Sequence, residues 1–170
     1  IDNVDISKDA FKDCSRTIEI GIRCLNWIKS LHIFKQSSLD LKNIETKMVN
    51  SLISQSKMLI DIYDDFRTLS NWGVMQNCGL ISLALNYKES YPILNGYLTI
   101  ALKRLEHQCI IQILSDGIHW EQSPMYQNEV LNCLLDIAFD YKHLNLDIPE
   151  FILNSIKKLA YSNAYMKKPN

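Results

Sequence analysis

Apolar residues recur at helical spacing along almost the whole chain, and this period restricts it to folds assembled from helices. A first helix is expected over 7–35, with Phe11, Ile18, Ile22 and Leu25 on one stripe. A second is expected over 38–66, through Ile44, Met48, Leu52, Leu59, Ile62 and Phe66. A third begins near Ser70 and carries Val74, Cys78, Ile81 and Leu85. The fourth, over 90–114, uses Leu94, Leu98, Leu102, Leu105, Cys109 and Ile113. Ser123-Pro124 reads as an N-cap followed by proline at the first helical position, opening a fifth helix striped by Val130, Leu134, Ile137 and Tyr141. A sixth starts around Pro149 with Ile152, Ile156 and Leu159. No segment reads as a β-strand, a Gly-rich linker or low-complexity sequence, so the fold class is all-α. Short connections make successive helices antiparallel hairpins.

Length and charge bound the rest. The 170 residues, 47% hydrophobic and 22% charged, suffice for one domain with a core. No apolar run approaches the roughly 18 residues of a membrane span. A net charge of −1 offers no field for nucleic acid or anionic lipid. The expected partners therefore include neither. The cysteines, Cys14, Cys24, Cys78, Cys109 and Cys133, are odd in number, widely spaced and mostly on apolar stripes; buried free thiols are expected rather than a disulfide framework. With no CxxC and no zinc-finger spacing, no metal and no cofactor is expected; His107 and Cys109, two apart, point to different sides of their helix. A start at Ile1 and an irregular Lys167-Lys168-Pro169-Asn170 end suggest a piece of a longer protein. Frequent isoleucine, asparagine and lysine suggest an AT-rich bacterial genome. The compartment stays open between cytoplasmic and exported, the free thiols leaning to a reducing one.

Alternating helix directions would make the first, third and fifth parallel. Asn71 and Tyr126 would then share one end of the bundle, each in the first turn of its helix. Helix N-termini present free N–H groups and the positive end of the dipole. Together with the loop 116–122 they would form a polar rim suited to a carboxylate or sulfate.

Two blocks carry more than periodicity. LSNWGVMQNCGLISLAL at 69–85 and DGIHWEQSPMYQNEVLNCLLDI at 116–137 each set polar and aromatic residues ahead of an apolar stripe. Together with the earlier SRTIEIGIRCLNWIKSLHIF, they resemble the helical domain of heparinase II/III-type polysaccharide lyases over nearly the whole chain. The resemblance implies antiparallel helical hairpins forming part of an incomplete α/α toroid over 1–166, with 167–170 beginning a linker to a β-sandwich outside the chain.

It also implies an activity: metal-independent β-elimination in uronic-acid polysaccharide, of heparin or heparan sulfate type. The difficulty is to remove a proton beside a carboxylate without creating a dianion. An amide donor can neutralise the carboxylate, an effect worth about 3–4 kcal/mol in preorganised sites. A tyrosine can act as base or acid where positive charge lowers its usual value of about 10. By motif position Asn71 matches the family's carboxylate-neutralising asparagine and Tyr126 its catalytic tyrosine. Some relatives carry histidine after each; here Trp72 and Gln127 stand there, which leaves the base and the accepted uronate epimer open. The family's sandwich histidine has no counterpart in this chain.

Each residue also has a plainer reading. Asn71 after Ser70 could be capping chemistry, and Tyr126 a buried tyrosine with one hydrogen bond. His119 and Glu121 follow the turn signal Asp116-Gly117 and could be solvated loop residues or contact sugar. Trp72 and Trp120 suit stacking on sugar rings or the core, and Trp27 the core. Arg23 and Asn26, three apart, could reach a cleft acid or belong to a buried network. Gln127 completes the candidate substrate-binding set. Only four of the 18 basic residues are arginine, few for a densely sulfated polymer. A poorly sulfated or unsulfated uronate polymer is therefore favoured, alginate-like oligouronate being the alternative. Two other classes remain: a glycan-binding module without turnover, and a purely structural helical interaction domain. Self-association through surfaces bared by truncation is a further expectation.

Overall fold

The computed structural model describes residues 16–37 and 40–166. Over these it is built from α1 (Thr17–Lys35), α2 (Lys42–Asp61), α3 (Asp65–Leu69), α4 (Asn71–Tyr87), α5 (Ile93–Gln112), α6 (Pro124–His143) and α7 (Glu150–Met166). No strand occurs among the described residues, and the fold is all-α; a single antiparallel bridge joins Ile113 to His119. None of the described helices is long and apolar enough to cross a membrane. The expected helix starts at 7 and 38, together with Phe11, Cys14 and 167–170, lie outside the described residues.

Side-chain contacts fix the helix directions. Gln76 donates to Thr17 near the start of both α1 and α4, and Ser82 and His32 both reach Asp140 on the later half of α6. So α1, α4 and α6 run parallel. Lys35 at the end of α1 pairs with Glu45 at the start of α2, the end of α5 bonds to Arg67 and Thr68 just before α4, and the end of α7 bonds to the start of α6. The result is three antiparallel hairpins, α1/α2, α4/α5 and α6/α7, whose first helices lie side by side.

α4 is the centre of the fold, and its sequence explains why. It is apolar nearly all round, and every residue from Gly73 to Leu85 is buried; a helix of that composition has to be enclosed on all sides. Backbone approach to α1 depends on Gly21 and Gly79. A Cβ on Gly79 would stand 2.4 Å from the Gly21 carbonyl oxygen, and one on Gly21 would stand 2.7 Å from Gln76 Cα. This approach also selects the buried face of α1. Ile20, Cys24, Leu25, Ile28 and Leu31 are enclosed, while Ile18 and Ile22 sit only partly covered beside that face. The stripe read from sequence is thus rotated: α1 has isoleucines on neighbouring faces, and the glycine contact decides between them.

The second expected helix is broken. α2 ends at Asp61, where the Arg104 guanidinium donates to the carbonyls of Leu59 (2.9 Å) and Ile60 (3.1 Å). Asp64 then caps α3 by accepting from the Arg67 N–H at 3.0 Å. Ile62 and Phe66, expected inside, are 42% and 54% exposed. The stripes of α4 and α6 are buried as expected, as are the thiols of Cys24, Cys78, Cys109 and Cys133, all free. Burial pushes the Cys24 and Cys133 thiols up to about 12.

Candidate active site

The loop between α5 and α6 places the residues of interest. It folds back at Asp116-Gly117: Gly117 has φ 82°, the Asp116 carboxylate accepts from the Ile118 N–H at 3.0 Å, and Trp120 N–H bonds to the Gln112 carbonyl at 2.8 Å. A side chain at Gly117 would meet the Lys158 carbonyl at 2.4 Å. The turn therefore requires glycine for both its φ and its space. Ser123 then caps α6, accepting the Tyr126 N–H at 3.5 Å, with Pro124 in the first turn. This return carries the chain to the start of α4, where Glu121 Oε1 accepts the Asn71 N–H at 2.9 Å.

Asn71 and Tyr126 thus occupy first turns of neighbouring parallel helices at one end of the molecule, with the loop reaching both. Asn71 is 5% exposed, and its side-chain amide makes no hydrogen bond to any described residue. Tyr126 is 39% exposed. Ser70 stands at the N-cap position of α4, yet its buried hydroxyl is unpartnered; Glu121, fifty residues on, supplies the cap instead. A carboxylate therefore already holds the first N–H of α4. An incoming anion would meet the Asn71 amide rather than an open helix end.

The other candidates divide into exposed and enclosed. Trp120 is 42% exposed on the loop. Trp72, partly covered, lies edge-on to Phe66 at 5.6 Å, with the Arg16 guanidinium 5.8 Å from its ring centroid. His119 is wholly buried. Its backbone N–H donates to Gln127 Oε1 (2.9 Å), its Nε2 lies 2.9 Å from Gln112 Oε1, and its Nδ1 accepts the Glu121 N–H at 3.4 Å. Burial lowers its pKa, and Glu121 opposes the shift. Gln127 is buried as well, donating to Ser162 Oγ and Asn163 Oδ1 on α7, both at 2.7 Å.

Arg23 and Asn26 part company. Arg23 turns to α2, where it donates to Gln55, and it lies 6.0 Å from the Trp27 ring. Asn26 is exposed and lines a cavity of about 420 Å³ between α1 and α6, floored by Met75 and edged by Glu129. Met75 and Glu129 lie one turn beyond Asn71 and Tyr126. The cavity shares Leu25, Lys29, Leu135 and Asp136 with a second of about 570 Å³ further along the same groove.

Sequence reading passed over the glutamines of α5. Gln108 accepts from Asn77 and donates to the Arg67 carbonyl, both at 2.8 Å; Gln112 donates to the carbonyls of Thr68 (2.7 Å) and Ser70 (3.3 Å). Two amides four residues apart on an otherwise apolar stripe were the available clue, since buried amides have to be bonded.

No curated protein and no solved structure matches the chain. The family model described as "Heparinase II/III N-terminus" matches residues 4–170. With nearly its whole length matched, the chain belongs to the heparinase II/III N-terminal family, a family of polysaccharide lyases.

Proposed function

We propose that this domain binds uronic-acid polysaccharide and contributes Asn71 and Tyr126 to its cleavage by β-elimination. The observation that carries the reading is the pairing of an unengaged, largely covered amide with an exposed phenol on adjacent first turns. The Asn71 amide donates to the uronate carboxylate, drawing off charge as the neighbouring C–H proton leaves. The released pair forms a double bond to the next carbon, whose glycosidic C–O bond breaks, and the leaving oxygen takes up a proton. Tyr126 serves this proton traffic as base, acid or both. Trp120 and Trp72 offer faces for sugar rings, and Asn26 extends the polar lining into the groove. His119, Glu121 and Gln127 act from behind, and Arg23 serves through its hold on α2.

The arginines support a poorly sulfated or unsulfated polymer. Arg16 pairs with Glu19, Arg23 with Gln55 and Arg67 with Asp64, while Arg104 caps α2. None is a guanidinium standing clear in a cleft, as bidentate sulfate recognition would need. Heparan-type chains of low sulfation come first and alginate-like oligouronates second. The three hairpins, with their first helices alongside one another, are read as a sector of an α/α toroid. Exposed Ile110, Phe139, Tyr161 and Tyr165 would serve self-association, which sedimentation would detect.

The test follows ultraviolet absorbance of the unsaturated uronate product, using the full-length protein on a panel of uronate polymers. Absorbance should rise on one of them. Asn71→Ala and Tyr126→Phe, verified as folded, should each lose about 100-fold or more in kcat. Glycan binding with no absorbance change on any polymer would replace the lyase by a binding module, and absence of both would leave a structural domain.

A further inference from the structure

We propose that His119 is a positioning residue, fixed as the neutral Nε2–H tautomer, that locks the Glu121 loop onto the N-terminus of α4 and so sets the place of Asn71. The catalytic part of this statement rests on the lyase reading; the latch itself does not.

The tautomer follows from its neighbours. Gln112 Nε2 donates to the carbonyls of Thr68 and Ser70. Flipping that amide would turn its oxygen onto two carbonyl oxygens, so Gln112 presents Oε1 to the histidine at 2.9 Å. An amide oxygen only accepts; His119 Nε2 therefore carries the hydrogen. On the other edge, the Glu121 backbone N–H faces Nδ1 at 3.4 Å, and that nitrogen has to offer a lone pair. A second proton there would set two donors against each other inside a site with no exposed histidine surface. Among the described residues, Glu121 is the charged group acting on the ring, and burial outweighs it.

The consequence reaches the candidate active site through two bonds. His119 Nδ1 holds the Glu121 backbone, and Glu121 Oε1 holds the Asn71 N–H at 2.9 Å. The backbone N–H of His119 meanwhile donates to Gln127, one residue after Tyr126. His119 thereby ties three elements together: its ring holds the end of α5 and the Glu121 loop over α4, and its backbone N–H holds the start of α6. Its side chain is covered on all sides and cannot touch a polymer. It acts through Glu121 on Asn71.

The first experiment needs no substrate. In the full chain carrying ¹⁵N-histidine, long-range ¹H–¹⁵N spectra at about pH 7 should show a neutral Nε2–H ring for His119, with His119→Gln as the assignment control. An Nδ1–H tautomer or an imidazolium there overturns the proposal. In His119→Ala, hydrogen exchange at the Asn71 amide should accelerate by about tenfold, the equivalent of one buried hydrogen bond. His119→Asn, whose Oδ1 stands near the place of Nδ1, should restore slow exchange. Unchanged exchange in a folded His119→Ala protein sinks the latch; if that variant does not fold, the tautomer spectrum of the parent decides alone. On a polymer the parent cleaves, His119→Ala should lower kcat by about tenfold and leave KM nearly unchanged, since no sugar contact is lost. A KM effect without a kcat effect would make His119 a binding element and refute the positioning role. If the parent cleaves nothing, the lyase reading fails while tautomer and exchange still judge the latch.

Discussion

The two ends of the α1/α4/α6 layer handle buried polar groups in opposite ways. At the N-terminal end, His119, Gln112 and Gln127 are neutral donors and acceptors that largely satisfy one another. At the C-terminal end, charge is buried instead. Asp140, 5% exposed, accepts from Ser82 Oγ at 2.5 Å, and the His32 ring sits within 3.3 Å of its other oxygen. His32 Nε2 is close enough for an ion pair yet not aligned for a hydrogen bond, so it is also an unpartnered buried atom. The His143 ring stands edge-on to His32 at 4.5 Å and stacks on exposed Phe139. A satisfied neutral network fixes geometry, whereas a partly satisfied charged cluster is a source of pH sensitivity. At the end that carries Asn71 and Tyr126, the His119–Gln112–Gln127 network is of the first kind, while Ser70 Oγ, Gln76 Oε1 and Asn77 Oδ1 beside it are buried without partners.

Single deletions should show that difference most strongly. Gln127→Ala strands the His119 N–H and removes the amide that donates to Ser162 Oγ and Asn163 Oδ1, and it should cost about 3 kcal/mol in urea unfolding. Ser82→Ala removes one donor from the buried Asp140 carboxylate and should cost about 2 kcal/mol, since Asn86 and His32 still face Asp140. A Ser82→Ala loss exceeding that of Gln127→Ala would reverse the comparison and make the charged end the mechanical anchor.

Titration sharpens the contrast. Burial lowers the pKa of His119, opposed by Glu121. It lowers that of His32 as well, opposed by Asp140 and reinforced by His143 and Lys35. For both, the unfolded chain binds the proton more readily, so stability is full above about 6.5 and falls as pH drops from there through the lowered folded values. Asp140 works in the other sense. Burial raises its pKa against the bonds from Ser82 and Asn86, so the folded state holds that proton longer, which relieves the charged end as acid is added. The Tm should therefore fall between about pH 7 and 5. His119→Gln should flatten the fall. Asp140→Asn should steepen it, by removing the opposing group. A Tm unchanged or rising over that range in Asp140→Asn, where the opposing group is gone, would contradict both histidine environments.

Sequence alone went far in some places and not in others, for physical reasons. α4 and α6 were legible because their stripes are continuous and the Ser123-Pro124 start is local chemistry. The joining of Asn71 and Tyr126 at one end followed from parallel alternation, and the side-chain bonds between helices agree with it. The phase of α1 was not legible, because it is decided by a glycine contact with a helix more than fifty residues away. The break at 62–64 was missed because the apolar period runs straight across it. Only the Asp64 cap and the reach of Arg104 end the helix there. Glu121 as the cap of α4 was beyond reach for the same reason: a serine already stood in the local capping position, and nothing nearby reveals that its hydroxyl is idle.

The smallest effect concerns the groove between α1 and α6, where the two ends meet. Lys29 Nζ reaches across it to Asp136 at 2.7 Å, with the lysine side chain 54% exposed. Bridges so open to water gain little from Coulomb attraction and lose side-chain freedom, so Lys29→Ala should change stability by less than about 1 kcal/mol. It would, however, unlatch the stretch shared by the two cavities. If the groove is a passage for a polymer leaving the Asn71 end, long substrates should be processed faster or bound differently by the variant, while short oligouronates behave as with the parent. A stability loss as large as that of Ser82→Ala would instead make Lys29–Asp136 part of the buried charged cluster, extending that end of the molecule halfway toward Asn71.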